Sequence, residues 1–188
     1  MKTQTYSVFG PFELVLVAGP TGTRESRKKS RREVKRLVEE LYPEQPKLLK
    51  KPGCYIFALR TGGKGRLGGA FKVWYVGKSK RPLYTESLTE RNCDMYRSIV
   101  DGQHGSPVLF WIAKAAPGHG SSSDKRDVED METALIYAAS DQNHSLCNDM
   151  KNPRKYKFQI AGVPLVGQHD LRRASKGPAA QIAKMLGL

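Results

Sequence analysis

The chain predicts an α/β protein of the α+β type, with a small antiparallel or mixed central sheet flanked by helices. Three observations carry this expectation. Short runs rich in β-branched and aromatic residues recur at 12–18, 54–60, 71–76 and 107–116, each bounded by Gly or Pro. Segments with apolar residues at helical spacing lie between and after them. The length, 188 residues, holds one domain with extensions or at most two small ones. A chain of that size buries roughly 70% of its unfolded surface, so it needs no covalent staple.

The elements follow in order. The run from Phe12 to Ala18, between Gly10-Pro11 and Gly19-Pro20, reads as a strand. From Arg24 to Tyr42, the apolar residues Val34, Leu37, Val38 and Leu41 fall at i, i+3, i+4 and i+7, the stripe of a helix. Its first half carries Arg24, Arg27, Lys28, Lys29, Arg31, Arg32, Lys35 and Arg36 against only Glu25 and Glu33. Pro43 and Pro46 end the unit, and a boundary near Lys50 makes residues 1–50 a basic strand–helix extension.

Residues 51–150 form the expected core. A strand over Cys54–Arg60 and another over Phe71–Val76 are joined by a loop with five glycines between Thr61 and Gly69, which reads as an antiparallel hairpin. The loop lacks G-x-x-x-x-G-K-[ST] and precedes a strand, so a nucleotide-binding loop is rejected. Gly77-Lys78-Ser79-Lys80-Arg81-Pro82 reads as a turn. Helices are expected over 87–101, with Leu88, Met95 and Ile99 on its apolar side, and over 124–140, with Val128, Met131 and Leu135. The strongly apolar 107–116 reads as a central strand between them. Glu132 falls on the core-facing stripe, where a carboxylate is costly unless paired or metal-bound. An edge position held by an arginine is the alternative. Residues 151–188 form a C-terminal extension packed on the core, with a strand at 157–163, Arg172 and Arg173 between, and a helix at 178–186.

Composition bounds the function. The net charge of +14, clustered in the chain, points to a polyanionic partner, and nucleic acid leads. Cys54, Cys93 and Cys147 make no metal-ligand spacing, and their odd number fits a reducing, cytoplasmic setting. His104, His119, His144 and His169 also lack metal-ligand spacing and read as loop residues. No apolar run approaches the ~20 residues of a membrane span, and Met1–Thr5 carries no apolar leader core.

Gly53-Cys54-Tyr55, then Tyr75-Val76-Gly77, then an arginine on the next helix, Glu132 on a later helix and Asn148 beyond it make an ordered set. Over about residues 51–150 this set resembles the GIY-YIG nuclease family. Cys54 and Val76 stand where the family has isoleucine. The tyrosines are twenty residues apart, a spacing lengthened by the glycine-rich loop. Met95 stands one turn beyond Arg91, where a basic residue or histidine is often found. Arg91 is the first choice for the helical arginine, and Arg81 is the alternative.

The resemblance implies cleavage of phosphodiester bonds with one divalent cation, Mg²⁺ or Mn²⁺, held by Glu132. It implies Tyr55 as general base, its phenol lowered by Lys78, Arg91 or Arg81. Tyr75 would orient water or phosphate, and Arg91 would grip phosphate oxygens in a fork. Gly77 would turn the backbone tightly beneath the substrate. Arg31, Arg32, Lys35, Arg81, Arg172 and Arg173 would hold nucleic acid, and Asn148 would support the site. DNA is the expected substrate and RNA stays open beside it. One site cuts one strand, so a double-strand break needs a dimer or two nicks. A nucleic-acid-binding protein without catalysis is the competing expectation. The nuclease expectation requires the two phenols and the 132 carboxylate to share one positively lined hollow. A closed salt link at 132, or rings on opposite faces, would remove it.

Overall fold

The computed structural model describes residues 6–65, 67–114, 122–148, 165–166, 169–170 and 177–187. Its elements are β1 (Tyr6–Glu13), α1 (Gly22–Leu41), a 3₁₀ turn (Leu48–Lys50), β2 (Gly53–Thr61), β3 (Ala70–Ser79), α2 (Leu83–Glu86), α3 (Glu90–Gly102), β4 (Ser106–Lys114) and α4 (Ser122–Gln142). The two-residue strands β5 (Leu165–Val166) and β6 (His169–Asp170) and the helix α5 (Gly177–Met185) follow. The sheet order is β3-β2-β4-β1-β5-β6. The β3, β2, β4 and β1 strands pair antiparallel throughout, as the α+β expectation requires. A single parallel contact, Tyr6 with Val166, joins β5 to β1.

Each face of the sheet has its own core. Period-two alternation sends Cys54, Ile56 and Ala58 of β2 to one side with Val128, Met131 and Leu135 of α4. It sends Tyr55, Phe57 and Leu59 to the other side with Val34, Leu37 and Val38 of α1 and Tyr96 and Ile99 of α3. β4 is fully buried from Val108 to Ala113, the continuous apolar run expected of a central strand. Phe57 stacks on Tyr96 with centroids 4.1 Å apart. Each such large apolar side chain contributes about 1.5–3 kcal/mol by leaving water.

Two expectations need correction. The first strand is Tyr6–Glu13, not 12–18: Gly10-Pro11, read as a boundary, sits inside it. The register against β4 slips between Phe9 and Phe12, so the dipeptide occupies a bulge, where a missing N–H costs no ladder bond. Residues 14–18 run along α1 instead. Ser30 Oγ accepts from Val15 N at 3.0 Å, and Ser26 Oγ accepts from Val17 N at 2.7 Å. The same hydroxyls donate back to the Val15 and Val17 carbonyls. Two buried serines thus stand in for a neighbouring strand. Second, Gly77-Lys78-Ser79 is not a turn but the end of β3, paired with Tyr55, Cys54 and Gly53. The turn comes after it, where Ser79 Oγ donates to Arg81 O and accepts from Arg81 N.

The remaining elements lie close to expectation. α1 buries Val34, Leu37 and Val38. α3 starts at Glu90, with Thr89 as its N-cap accepting from Asn92 N. The strand expected at 157–163 lies outside the described residues, as do Arg172 and Arg173. The first fifty residues add β1 to the same sheet as β2–β4 and lay α1 over its tyrosine-bearing face.

Candidate active site

The site assembles at the outer edge of the sheet, on β3. In the β2–β3 ladder Tyr55 lies opposite Gly77 and Phe57 lies opposite Tyr75. Both tyrosines project to the α1–α3 side, with ring centroids 6.1 Å apart and planes at 46°. A Cβ at Gly77 would land on the hydroxyl end of Tyr55. Gly77 is therefore required for a reason other than the expected tight turn: its bare backbone is the seat of the Tyr55 phenol.

Asn92, in the first turn of α3, fixes that phenol. Its Nδ2 donates to Tyr55 Oη at 2.9 Å and to the Glu86 carbonyl at 2.8 Å. The Tyr55 hydroxyl, already accepting from Asn92, is hydrogen-bonded to Tyr75; the bond raises the Tyr55 pKa and lowers that of Tyr75. Nothing in the sequence singled out Asn92; an asparagine three residues past a helix cap is common, and only the fold brings it to Tyr55.

The electrostatics reverse one expectation. Cationic neighbours were expected to lower the Tyr55 pKa. Burial is instead the largest influence and raises it well above the ordinary phenol value, and the neighbouring Tyr75 raises it further. Tyr75 is also raised, by burial first, but the hydrogen bond from Tyr55 and the Arg91 charge pull its pKa back down. The positive charge therefore acts on the second phenol. Tyr55 is 3% exposed, whereas Tyr75 is only half-buried.

Lys78 and Glu132 sit on the other side of β3. Lys78 pairs across the ladder with Cys54 and follows Val76 on the α4 side. Its Nζ donates to Glu132 Oε2 at 2.7 Å. Just past the strand, Lys80 meets Glu129 at 2.7 Å, so two ion pairs tie α4 to the end of β3. Burial is the largest single influence on the Lys78 pKa and lowers it, but Glu132, Glu129 and Cys54 together raise it above the ordinary lysine value. Opposite Lys78 on β2, the Cys54 thiol donates to Val128 O at 3.4 Å; burial and the Glu132 charge push its pKa up.

The phenols and the carboxylate thus do not share one hollow, so that condition of the nuclease expectation is not met. They flank the same strand, with Gly77 between them. The two rings share a face, and the salt link is not closed: the Lys78 and Glu132 side chains retain 26% and 14% of their exposure. The Glu132 charge still reaches Tyr75. Glu132 offers a divalent cation one carboxylate ligand, which Lys78 holds in this structure. Glu132 already attracts a cation, the Lys78 ammonium, and a hard ion needs only one or two protein carboxylates when phosphate and water supply its other ligands. Among the described residues no group of three His, Cys, Asp or Glu side chains offers an alternative.

The remaining predicted residues scatter. Arg91 is exposed at the start of α3. Arg81 is exposed beyond β3, its backbone held by Ser79. Asn148 lies on the far edge of β3, where Oδ1 accepts from Val76 N at 2.8 Å and Nδ2 donates to Val76 O at 2.6 Å. With Asn143 donating to Val73 O and Cys147 N donating to Trp74 O, it closes the outer edge of the sheet. Arg31 is half-buried, donating to Thr85 O at 3.2 Å and lying over the Tyr84 ring at 5.7 Å. Arg32 and Lys35 are exposed on α1. No helix among the described residues is long and apolar enough to cross a membrane. No family model, curated protein or solved structure matches the chain.

Proposed function

We propose that this protein is a metal-dependent endonuclease that hydrolyses phosphodiester bonds in DNA. The observation that carries the reading is the edge of β3, where a hydrogen-bonded phenol pair on one side and a Lys78–Glu132 pair on the other flank the bare backbone of Gly77. In-line displacement at phosphorus calls for fixed, directional groups, and the phenols on one side and Glu132 on the other bring such groups to the same strand without enclosing one hollow.

Each residue then has a task. Tyr75 is the phenol that takes the proton of the attacking water, because Tyr55 donates to it and Arg91 stabilises its ionised form. Tyr55, locked by Asn92, holds Tyr75 in place. Arg91 grips a non-bridging phosphate oxygen. Lys78 leaves Glu132 to neutralise a second phosphate oxygen as the substrate enters. A divalent cation held by Glu132, Mg²⁺ or Mn²⁺, supplies charge neutralisation at the phosphate and leaving oxygen when bound. Incubation of supercoiled plasmid with the protein and Mg²⁺ tests this. Nicking is expected in the wild type, and full nicking by Glu132→Ala would remove the carboxylate from the mechanism.

A second reading has one observation in its favour. The ion pair satisfies Glu132 without any metal, which suits a nucleic-acid-binding protein that cuts nothing. Salt-sensitive binding with no product under any divalent cation, on DNA or RNA, would select it.

A further inference from the structure

α1 sorts its charges by side. Lys29 pairs with Glu25 at 2.8 Å, Arg36 is held between Glu33 and Glu40, and Arg27 reaches Glu90 of α3 at 2.6 Å. Arg24, Lys28 and Arg32 are left without a carboxylate partner among the described residues. They recur every fourth residue, so they stand in one row about 6 Å apart along the helix. All three are exposed. The row is the crest between two grooves, one shared with Thr21, Glu25 and Lys29, the other with Arg27, Arg31, Lys35 and Tyr84. The second groove has a volume of about 490 Å³.

That second groove borders the first turn of α3. Its wall is pinned by Arg27 on Glu90 and by Arg31 on Thr85. Three consecutive residues of α3 then connect it to the phenols: Glu90 holds Arg27, the charge of Arg91 acts on Tyr75, and Asn92 donates to Tyr55. The groove offers donors, and its one aromatic ring is already engaged. The Tyr84 ring lies beneath the Arg31 guanidinium, and its hydroxyl donates to Arg31 O at 3.1 Å. Exposed cations in a row along a helix meet phosphate oxygens, and contacts to phosphate carry no sequence information.

We propose that Arg24, Lys28 and Arg32 hold the sugar–phosphate backbone of a DNA strand without regard to sequence, and that the groove beside them guides that strand past the first turn of α3 to Tyr75. Only the last step rests on the nuclease reading. Arg31, expected at the sequence level to grip phosphate, serves instead to fix the groove wall, and the grip passes to its neighbours on the crest.

The test is fluorescence anisotropy with labelled mixed-sequence DNA, single-stranded and duplex, over a salt series. The triple variant Arg24→Ala, Lys28→Ala, Arg32→Ala changes exposed helical positions to the strongest helix former, and circular dichroism checks its fold. Its affinity is expected to fall at least about tenfold, and its log–log salt slope to become shallower by about two to three, the loss of three phosphate contacts. A charge-matched control, Lys64→Ala, Lys72→Ala, Lys184→Ala, removes exposed cations from the hairpin and α5. It is expected to stay close to wild type. An equal loss in the control, or an unchanged slope in the crest variant, overturns the proposal. Plasmid cleavage is measured in parallel, with KM raised and kcat retained in the crest variant. Wild type that binds as described but cuts nothing sinks the nuclease reading alone. Wild type that cuts while the crest variant keeps its slope sinks the groove alone.

Discussion

The two sides of β3 are built by opposite means. On the α1–α3 side, the phenols of Tyr55 and Tyr75 are positioned by neutral contacts: a ring pair, an amide from Asn92 and the bare Cα of Gly77. On the α4 side, Lys78 and Glu132 are positioned by charge, with Lys80 and Glu129 beside them. Neutral packing is rigid and insensitive to salt. A part-exposed ion pair is worth little in stability and is easily exchanged for another partner. The comparison teaches a division of labour, in which one side of the strand holds geometry and the other holds a replaceable charge.

Removing the charge side without touching the packed side gives the largest expected effect. Glu132→Gln should lower metal-dependent nicking by about 10²–10³-fold, the several kcal/mol that metal-assisted charge neutralisation supplies. Its thermal midpoint should stay within a few degrees of wild type, because the lost pair is partly solvated. A large drop in midpoint with modest loss of nicking would invert the division of labour.

The packed side predicts a split between its two phenols. Tyr75→Phe should cost about 10²-fold in kcat, the lower range for a lost proton acceptor, with little change in stability. Tyr55→Phe should cost less activity but more stability, about 1–2 kcal/mol, because Asn92 loses an acceptor in a buried place. The wild-type rate should climb with pH through the neutral range without a plateau below pH 10, since the Tyr75 pKa lies above the ordinary value of 10.0. Equal kinetic losses in the two variants would show that the phenols act as one unit. Gly77→Ala comes next in size. Its methyl must displace the Tyr55 hydroxyl, so the thermal midpoint should fall by an amount equivalent to about 1–3 kcal/mol.

The helices and the core were legible because they rest on periodicity. Val34, Leu37 and Val38 of α1 and Val128, Met131 and Leu135 of α4 are all buried where spacing put them. Glu132 was legible as an exception to its own stripe, although its partner is Lys78 and not an arginine. What could not be read was partnership across the fold. Val15 and Val17 look like strand residues until Ser26 and Ser30 of α1 satisfy their backbone. Gly10-Pro11 looks like punctuation until the bulge against β4 absorbs it. Asn92 has no local signature, and the side of β3 to which Lys78 projects depends on a register shift at Phe57–Ala58 that no single strand encodes.

The smallest expected effect separates the two sides by their alkaline behaviour. The phenols have raised pKa values in the fold. Above pH 10.0, the ordinary phenol value, the unfolded chain therefore releases protons that the native protein keeps. The native state then binds more protons than the unfolded state, so stability falls as pH rises, by up to about 1.4 kcal/mol per pH unit for each such phenol. The raised Lys78 pKa has the same sign but a later onset: its contribution is full below pH 10.5 and is lost as pH climbs past the raised native value. Urea unfolding at successive pH values from neutral to strongly alkaline measures both. Tyr55→Phe should flatten the earlier part of the decline, and Lys78→Met should leave that part intact and alter only the later one. Buried Tyr96 is raised first by burial and then by the Tyr55 charge, so its share of the decline is lessened in Tyr55→Phe and kept in Lys78→Met, which adds to the contrast. If Lys78→Met flattened the early decline as well, the two sides of β3 would be coupled through Gly77, and the exchange of Lys78 between carboxylate and phosphate would have to move the phenols with it.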